Sequence, residues 1–413
     1  MNVEELVRDS LRELATEQPS AGPGFADRVL AVRRRRRNRR IVSVAAATAA
    51  VVAIGVAVPL LDAGKDDVRP ASVLEKGGVH AHPDQSPPRD LIGAGDTVLA
   101  AYSTAELRAE TGKRGAMVRT YWLLDPRTGK YEKDTRWSFV AVAPGLKTAA
   151  VLEQNLPVSR IGLLDLATGE VERWIPVERG VGGLAFSQDG SRLVATTYGE
   201  NPDLRIKEAA VNGEGQEEVW EWMSRYGESS RTGFYDLDVA SGEGSWSAVA
   251  TDRNINARQD FAYSRSGELV YSRFIGGRDG LQQFYDLRGR KAAAPADEKH
   301  LRSDVEARLS PNGSLAALGL TKEVDGSPGR SYSSIRDPRT GKEVTKVRGA
   351  ELLAWADDKQ LIAWERVTGL DESYRPRLVL VTIGSDKVVP LSGVREPDRD
   401  EKRQGWEPVF ARL

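Results

Sequence analysis

Phe186-Ser187-Gln188-Asp189-Gly190-Ser191-Arg192-Leu193-Val194 sets a polar turn between two apolar runs, and the chain repeats the phrase. It returns as Tyr263-Ser264-Arg265-Ser266-Gly267-Glu268-Leu269-Val270 and as Leu309-Ser310-Pro311-Asn312-Gly313-Ser314-Leu315-Ala316. A short polar side chain can hold such a turn and glycine can take its positive φ, so each copy predicts two antiparallel strands joined tightly.

Degenerate copies stand at Gly95-Asp96-Thr97-Val98-Leu99, Val142-Ala143-Pro144-Gly145 and Trp355-Ala356-Asp357-Asp358-Lys359-Gln360-Leu361. A second phrase alternates with the first: Leu124-Asp125-Pro126-Arg127-Thr128-Gly129, Leu164-Asp165-Leu166-Ala167-Thr168-Gly169 and Arg336-Asp337-Pro338-Arg339-Thr340-Gly341. It too reads as a hairpin turn. The anchors near 95, 143, 187, 264, 310 and 356 are about 48, 44, 77, 46 and 46 residues apart. A period of 40 to 50 residues built of strands and turns predicts an all-β fold, a β-propeller of four-stranded blades over residues 91–413. Six to eight blades fit, with seven favoured. The interval of 77 holds either a further blade or an inserted hairpin. Gly405-Trp406-Glu407-Pro408-Val409-Phe410 reads as one more inner strand whose partners come from the start of the domain.

The phrase Ser-x-Asp/Asn-Gly-x-x-Leu/Val, paired with Asp-x-x-Thr-Gly, resembles the WD40-like, Tol-type propeller repeat. The whole layout is similar to membrane-anchored propeller proteins of actinobacteria. The resemblance covers about residues 90–413, and the Trp-Asp dipeptide of true WD40 repeats is missing. It implies a binding or scaffold module on a propeller.

Upstream of the repeats the chain changes character. Ile41 to Leu61 is an uncharged run of 21 residues. As a helix it would be roughly 31 Å long, the thickness of a bilayer's hydrocarbon core. Seven arginines, Arg33, Arg34, Arg35, Arg36, Arg37, Arg39 and Arg40, stand before it, and Asp62, Lys65, Asp66 and Asp67 follow. The positive-inside rule then predicts a single-pass cell-membrane protein with residues 1–40 cytoplasmic and the bulk of the chain extracytoplasmic. Within the tail, Val3, Leu6, Val7, Leu11 and Leu14 recur at helical spacing. That amphipathic helix has no core of its own, so residues 1–18 are a candidate contact for a cytoplasmic protein. Residues 62–90, with Pro70, Pro83, Pro87 and Pro88, read as a spacer.

Charge and composition exclude several functions. Residues 1–40 carry ten Arg against six acidic residues, which leaves 49 basic and 54 acidic residues beyond them. A mildly acidic outer domain offers no footprint for nucleic acid. Cysteine is absent, so there are no disulfides, thiolate nucleophiles or thiolate metal sites. His80-Ala81-His82 lacks a third ligand in sequence, His300 stands alone, and no cofactor is expected. Ser187, Ser264 and Ser310 repeat in register, which points to a turn role and not to nucleophiles.

One stretch departs from the repeats. Within an irregular insertion at about 199–232, Trp220, Trp222 and Tyr226 cluster between glycine-bearing segments. Loops on rigid scaffolds often carry binding, which makes these three candidate partner contacts, although packing against a neighbouring blade would also use them. The expected function is a membrane-anchored extracytoplasmic binding, sensing or scaffold module for an unknown protein or glycan, without catalysis. Two alternatives stand beside it: an envelope enzyme acting on a glycan or peptide at the propeller axis, and a transmembrane regulator acting through its tail. The last resembles anti-sigma regulators, whose zinc-binding His and Cys are missing here.

Overall fold

A computed structural model of the chain describes residues 77–211, 218–224, 230–249, 258–273, 282–323, 331–368, 374–396 and 402–413. The tail with its seven arginines, the apolar run Ile41–Leu61, the spacer as far as residue 76, and Tyr226 lie outside the described residues. Among the described residues every regular element is a strand, and no helix is long and apolar enough to cross a membrane. The described sheets belong to one compact unit, residues 65–208 with 220–413, apart from the ends of two strands at 209–211 and 218–219.

Strands β1 (Val79–His80) and β2 (Gly93–Ala94) lead into β3 (Thr97–Ala109), β4 (Arg114–Asp125) and β5 (Lys130–Asp134), each antiparallel to the last. A second series follows: β6 (Trp137–Val142), β7 (Thr148–Glu153), β8 (Val158–Asp165) and the first part of β9 (Val171–Phe186). Strand β9 serves twice. Val171 to Pro176 pair with β8, whereas Val181 to Phe186 pair with β10 (Arg192–Tyr198). Pro176 offers no N–H to a ladder, which suits a strand that changes partners just beyond it.

After β10 the chain leaves its sheet as β11 (Leu204–Val211) and β12 (Glu218–Ser224). It returns as β13 (Arg231–Asp238), which pairs directly with β10, and continues into β14 (Gly244–Ala248). The long interval between repeats is therefore one ordinary unit with an inserted pair of strands. Next come β15 (Ala262–Tyr263), β16 (Leu269–Arg273), β17 (Gln282–Asp286) and β18 (Lys291–Ala292). Then follow β19 (Ala316–Glu323), β20 (Ser331–Arg336) and β21 (Glu343–Arg348), to which a bridge between Leu309 and Ala316 adds a rudimentary first strand. The last series is β22 (Glu351–Trp355), β23 (Gln360–Thr368), β24 (Tyr374–Thr382) and β25 (Val388–Pro390). Finally β26 (Arg403–Arg412) runs beside β3, from Arg412 opposite Thr97 to Arg403 opposite Glu106, so the C-terminal strand completes the N-terminal sheet.

The repeated turns behave as their residues dictate. Ser187 Oγ donates to Asp189 Oδ1 at 2.6 Å and accepts from the Arg192 amide at 3.0 Å, while Gly190 holds φ of 73°. Ser310 and Asn312 reproduce this pair at 2.9 Å, with the Leu315 amide on Ser310 Oγ. The hydroxyls are thus committed to the turn, as their register predicted. The second phrase works through Asp125, Asp165 and Asp337, whose carboxylates accept amides two or three residues on at 2.7–2.8 Å. Asp238 does the same with the Ser241 amide, in a copy of the phrase that the sequence reading missed.

These turns also meet one another. The Gly145 amide donates to Arg412 O at 2.7 Å, Arg192 reaches Gly267 O at 3.0 Å, and Arg265 reaches Pro311 O at 2.8 Å. The Asn312 amide donates to Asp358 Oδ1 at 2.8 Å and the Asp96 amide to Ala356 O at 2.9 Å. Each sheet is so tied to the next, and the last to the first.

Hydrophobic cores fill the spaces between successive sheets. Phe234 and Phe261, fully buried with ring centroids 4.9 Å apart, join the β13 sheet to the β15 sheet. Ala317, Ile335, Leu361 and Val379 form another such core. Tyr102, stacked on Trp122 at 5.1 Å and edge-on to Trp406, belongs to the core where β26 and β3 meet the β23 sheet, and Trp364 packs on Trp406 at 5.0 Å. Burying one such large side chain contributes about 1.5–3 kcal/mol, so this packing binds neighbouring sheets together.

The stretch from Gly77 to Asp90 was read as the end of a spacer, yet it packs on the sheets. The His82 amide donates to Leu391 O, Gly393 donates to Gln85 O, and the buried Gln85 side chain accepts the Arg89 and Asp90 amides. A proline-rich segment has few donors to satisfy and can lie extended along a sheet edge, which composition alone does not distinguish from a free linker.

Candidate functional site

Counting back from the turn anchors aligns the first strands of the series. Four residues before Ala143, Ser187, Ser264 and Ser310 stand Phe139, Gly183, Asp260 and Glu306. These positions lie at the end of the ring away from the Ser-x-Asp-Gly turns, and around them the polar groups converge.

Asp203, buried at the foot of β11, is held by two guanidinium forks. Arg119 on β4 donates through Nη1 and Nη2 at 2.5 and 3.0 Å, and Arg258 donates through Nε and Nη2 at 2.9 and 2.7 Å. Arg258 is itself fixed further, since Nη1 donates to Asp260 Oδ2 at 2.7 Å and to Gly182 O at 2.8 Å, and its guanidinium lies 5.2 Å from the Phe139 ring centre. It therefore touches the first strands of two series other than its own. Tyr198 donates its hydroxyl to Asp260 Oδ1 at 2.8 Å and accepts the Gln259 amide at 2.8 Å. Gly183 makes the arrangement possible: a Cβ there would lie 2.0 Å from Asp260 Oδ1.

The electrostatics follow from this geometry. Burial alone would raise the Asp203 pKa, but the charges and hydrogen bonds of Arg258 and Arg119 outweigh it and hold the carboxyl well below the usual range. Burial pulls the Arg258 pKa down, and the carboxylates of Asp260 and Asp203 more than reverse it. Arg205, two residues along β11, is lowered by burial and by repulsion from Arg119 and Arg258.

The other half of this end is different. Glu306 is exposed to water with protein crowded around it. That crowding, together with repulsion from Glu407 and Glu351, pushes its carboxyl up to about 7. Both neighbours lie on first strands too, Glu407 on β26 and Glu351 at the start of β22, and Arg395 pairs with Glu407 at 2.6 Å. Among the described residues no group of His, Asp or Glu is placed to hold a metal ion.

Of the residues singled out beforehand, Trp220 and Trp222 both fall on β12 and so share one side of it. Trp220 is 43% exposed with the Lys113 ammonium 4.6 Å from its ring centre, and Trp222 is half-buried. Neither meets the Asp203 cluster in any contact seen here. Asp203, Arg258 and Glu306 escaped the sequence reading, although Asp260 and Glu306 at one aligned position, where other copies carry Phe139 and Gly183, were a usable signal.

An open groove elsewhere has Trp137, Trp174, Arg136, Glu153 and Gln154 on its walls. Its charges are already matched: Arg136 pairs with Asp134, Glu153 pairs with Arg160, and Arg160 covers Trp174 at 4.1 Å. It offers a ligand less than the converging first strands do.

The fold and site define an all-β, propeller-like repeat protein. No family model matches the chain, and no curated protein matches it. Among solved structures it is similar to TolB from Acinetobacter baumannii, at 16% identity over 73% of this chain and 68% of that one, with a TM-score of 0.37. It is also similar to Kuenenia stuttgartiensis hydrazine synthase, at 14% identity and a TM-score of 0.35. That match covers 61% of this chain and 64% of the hydrazine synthase chain.

Proposed function

We propose that this chain is a membrane-anchored, extracytoplasmic binding module on a propeller of six blades, with its ligand site at the axial mouth. The blades are β26–β3–β4–β5, then β6–β8 with the first part of β9, then the rest of β9 with β10, β13 and β14. The fourth is β15–β18, the fifth Leu309 with β19–β21, and the sixth β22–β25. Six sits at the low end of the expected range, because the 77-residue interval is taken up by an insertion and not by a blade.

The observation that carries the binding reading is the convergence of Arg258, Asp260, Glu306, Glu351 and Glu407 at one end of the ring, on or just before its first strands. Propeller loops and axes gather side chains from several blades on a rigid frame, which suits recognition. The Ile41–Leu61 run and the arginines before it support the anchor and its orientation. The partner is an extracytoplasmic protein or glycan, and residues 1–18 are left free for a cytoplasmic one.

Two experiments test this. External protease on intact cells should remove the repeat domain and spare the tail; a shielded repeat domain would overturn the topology. A photo-crosslinking residue at Glu351 should give a discrete adduct in cells that the same residue at Glu243, beside an outer strand, does not. Adducts at both positions alike, or at neither, would overturn the axial site.

One arrangement is in keeping with an enzyme instead: Glu306, its carboxyl raised by the protein around it and by the nearby Glu407 and Glu351, would suit a general acid. Turnover of an envelope glycan or peptide that Glu306→Gln abolishes would establish that reading.

A further inference from the structure

The grip on Asp203 has the form of a ligand site. One carboxylate receives four charged hydrogen bonds from two arginine forks, the arrangement by which proteins recognise carboxylate groups of other molecules. The arginines belong to the ring, Arg119 to β4 and Arg258 to the residues leading into β15. Asp203 belongs to the insertion, between the end of β10 and β11, where the sheet itself pairs β10 directly with β13. The cradle is therefore complete without the segment that fills it.

We propose that Arg119 and Arg258 form a carboxylate-binding site at the axial mouth, which the inserted strand occupies in cis through Asp203. The inserted strand is then a strap that competes with a carboxylate-bearing ligand, such as the C-terminus or an acidic side chain of a partner peptide. This deepens the axial-binding reading and rests on it.

Three features let the cradle outlast the departure of Asp203. Arg258 keeps its bonds to Asp260 Oδ2 and Gly182 O, so its fork stays aimed. Asp260 is held in turn by Tyr198 and by the room at Gly183. Charge favours replacement: with the strap displaced, Arg119 and Arg258 face Asp260 alone, two cations against one anion, which invites another anion. The strap's own hold is short. Leu204, Arg205 and Ile206 pair with Ala116, Gly115 and Arg114, flanked by the bonds from Met117 N to Asp203 O at 3.0 Å and from Lys207 N to Lys113 O at 2.9 Å.

The test uses the full-length protein in detergent. Hydrogen exchange at the Met117 and Lys207 amides, which tie the strap to β4, is followed in the wild type as succinate replaces chloride at constant ionic strength. A saturating acceleration of about tenfold or more is expected as the carboxylate displaces Asp203. In parallel, Asp203→Ala should unfold at lower temperature than the wild type and regain stability with a saturating dependence on acetate. The pair Asp203→Ala with Arg258→Met should regain none. Exchange that stays unchanged in the wild type, or an acetate effect that is equal in the double variant, would overturn the proposal. The wild-type exchange stands even where Asp203→Ala does not fold. It also leaves the axial reading separately testable, because a ligand captured at Glu351 with an immovable strap would refute only the cis-occupied cradle.

Discussion

The two halves of the axial mouth treat charge in opposite ways. On the side of β9 and β15, two carboxylates and the forks of Arg119 and Arg258 neutralise one another in a buried network. On the side of β22 and β26, Glu306 faces Glu351 and Glu407 and stays open to water. The first half is held together by its charges; in the second, Glu306 is repelled by Glu351 and by Glu407, which is itself paired with Arg395. A protein that needed only stability would gain little from either, since buried ion pairs contribute little net stability and like charges subtract from it. The contrast is what the proposed site predicts, with one part occupied from within and the other open to a partner.

Breaking the neutral half should cost most. Arg258→Met removes the cation between Asp203 and Asp260 and leaves Asp203 almost fully buried with one fork instead of two. The expected loss is about 3–5 kcal/mol of unfolding free energy, read from denaturant titration. A loss below about 1 kcal/mol would mean that water already enters the network. Acid probes the same network. Because the folded pKa of Asp203 lies below its unfolded value, its contribution is full above about pH 4 and is lost as pH falls further.

Next in size is Gly183→Ala. The added methyl would sit 2.0 Å from Asp260 Oδ1 and must push that carboxylate off Tyr198 and Arg258. A cost of about 1–3 kcal/mol is expected, as for other overpacked sites. Paired with Asp260→Ala, the substitution should become nearly neutral, which thermal melts of the single and double variants would reveal.

The acidic half sharpens the comparison through pH. Glu306 is raised to about 7 in the fold from its ordinary 4.5, so between those values the native state binds more protons than the unfolded one. Stability therefore falls as pH rises from about 4.5 to about 7 and levels off above. Glu306→Gln should flatten this slope and raise the melting temperature at pH 8, while leaving it little changed at pH 4. The gain is expected to be modest because water reaches the carboxylate and screens it. An unchanged slope would place the repulsion elsewhere.

The turn end of the ring was legible in the sequence because its chemistry is local. Ser187 meets Asp189 two residues on, and Ser310 meets Asn312 in the same way, so a short phrase carries the whole device and repeats with the fold. The mouth was not legible because its partners are remote. Arg119 and Asp203 are 84 residues apart and Arg258 and Asp203 are 55 apart, and nothing in either neighbourhood marks the pairing. The spacer's last stretch failed for a related reason. Gln85 acts through Gly393, more than 300 residues away, which proline content cannot announce. The tryptophans of the insertion stand out in the sequence, but the residue that meets the two arginine forks is Asp203 at its root.

The smallest effect is expected where the sequence drew the eye first. Trp220 is partly in solvent with Lys113 over its ring, and Trp222 on the same side of β12 is half-buried, so neither belongs to a buried core. Replacing both with Ala should cost about 1 kcal/mol or less, since an exposed cation–π contact is weak and little area returns to water. If these indoles contact a partner, the double variant should melt like the wild type yet lose the crosslinked adduct. If instead it melts far below the wild type, the pair is packing and the strand that bears it is structural. The second result would also weaken the contrast between the two halves of the mouth, because a strap bound down by aromatic packing could not yield its carboxylate to a competitor.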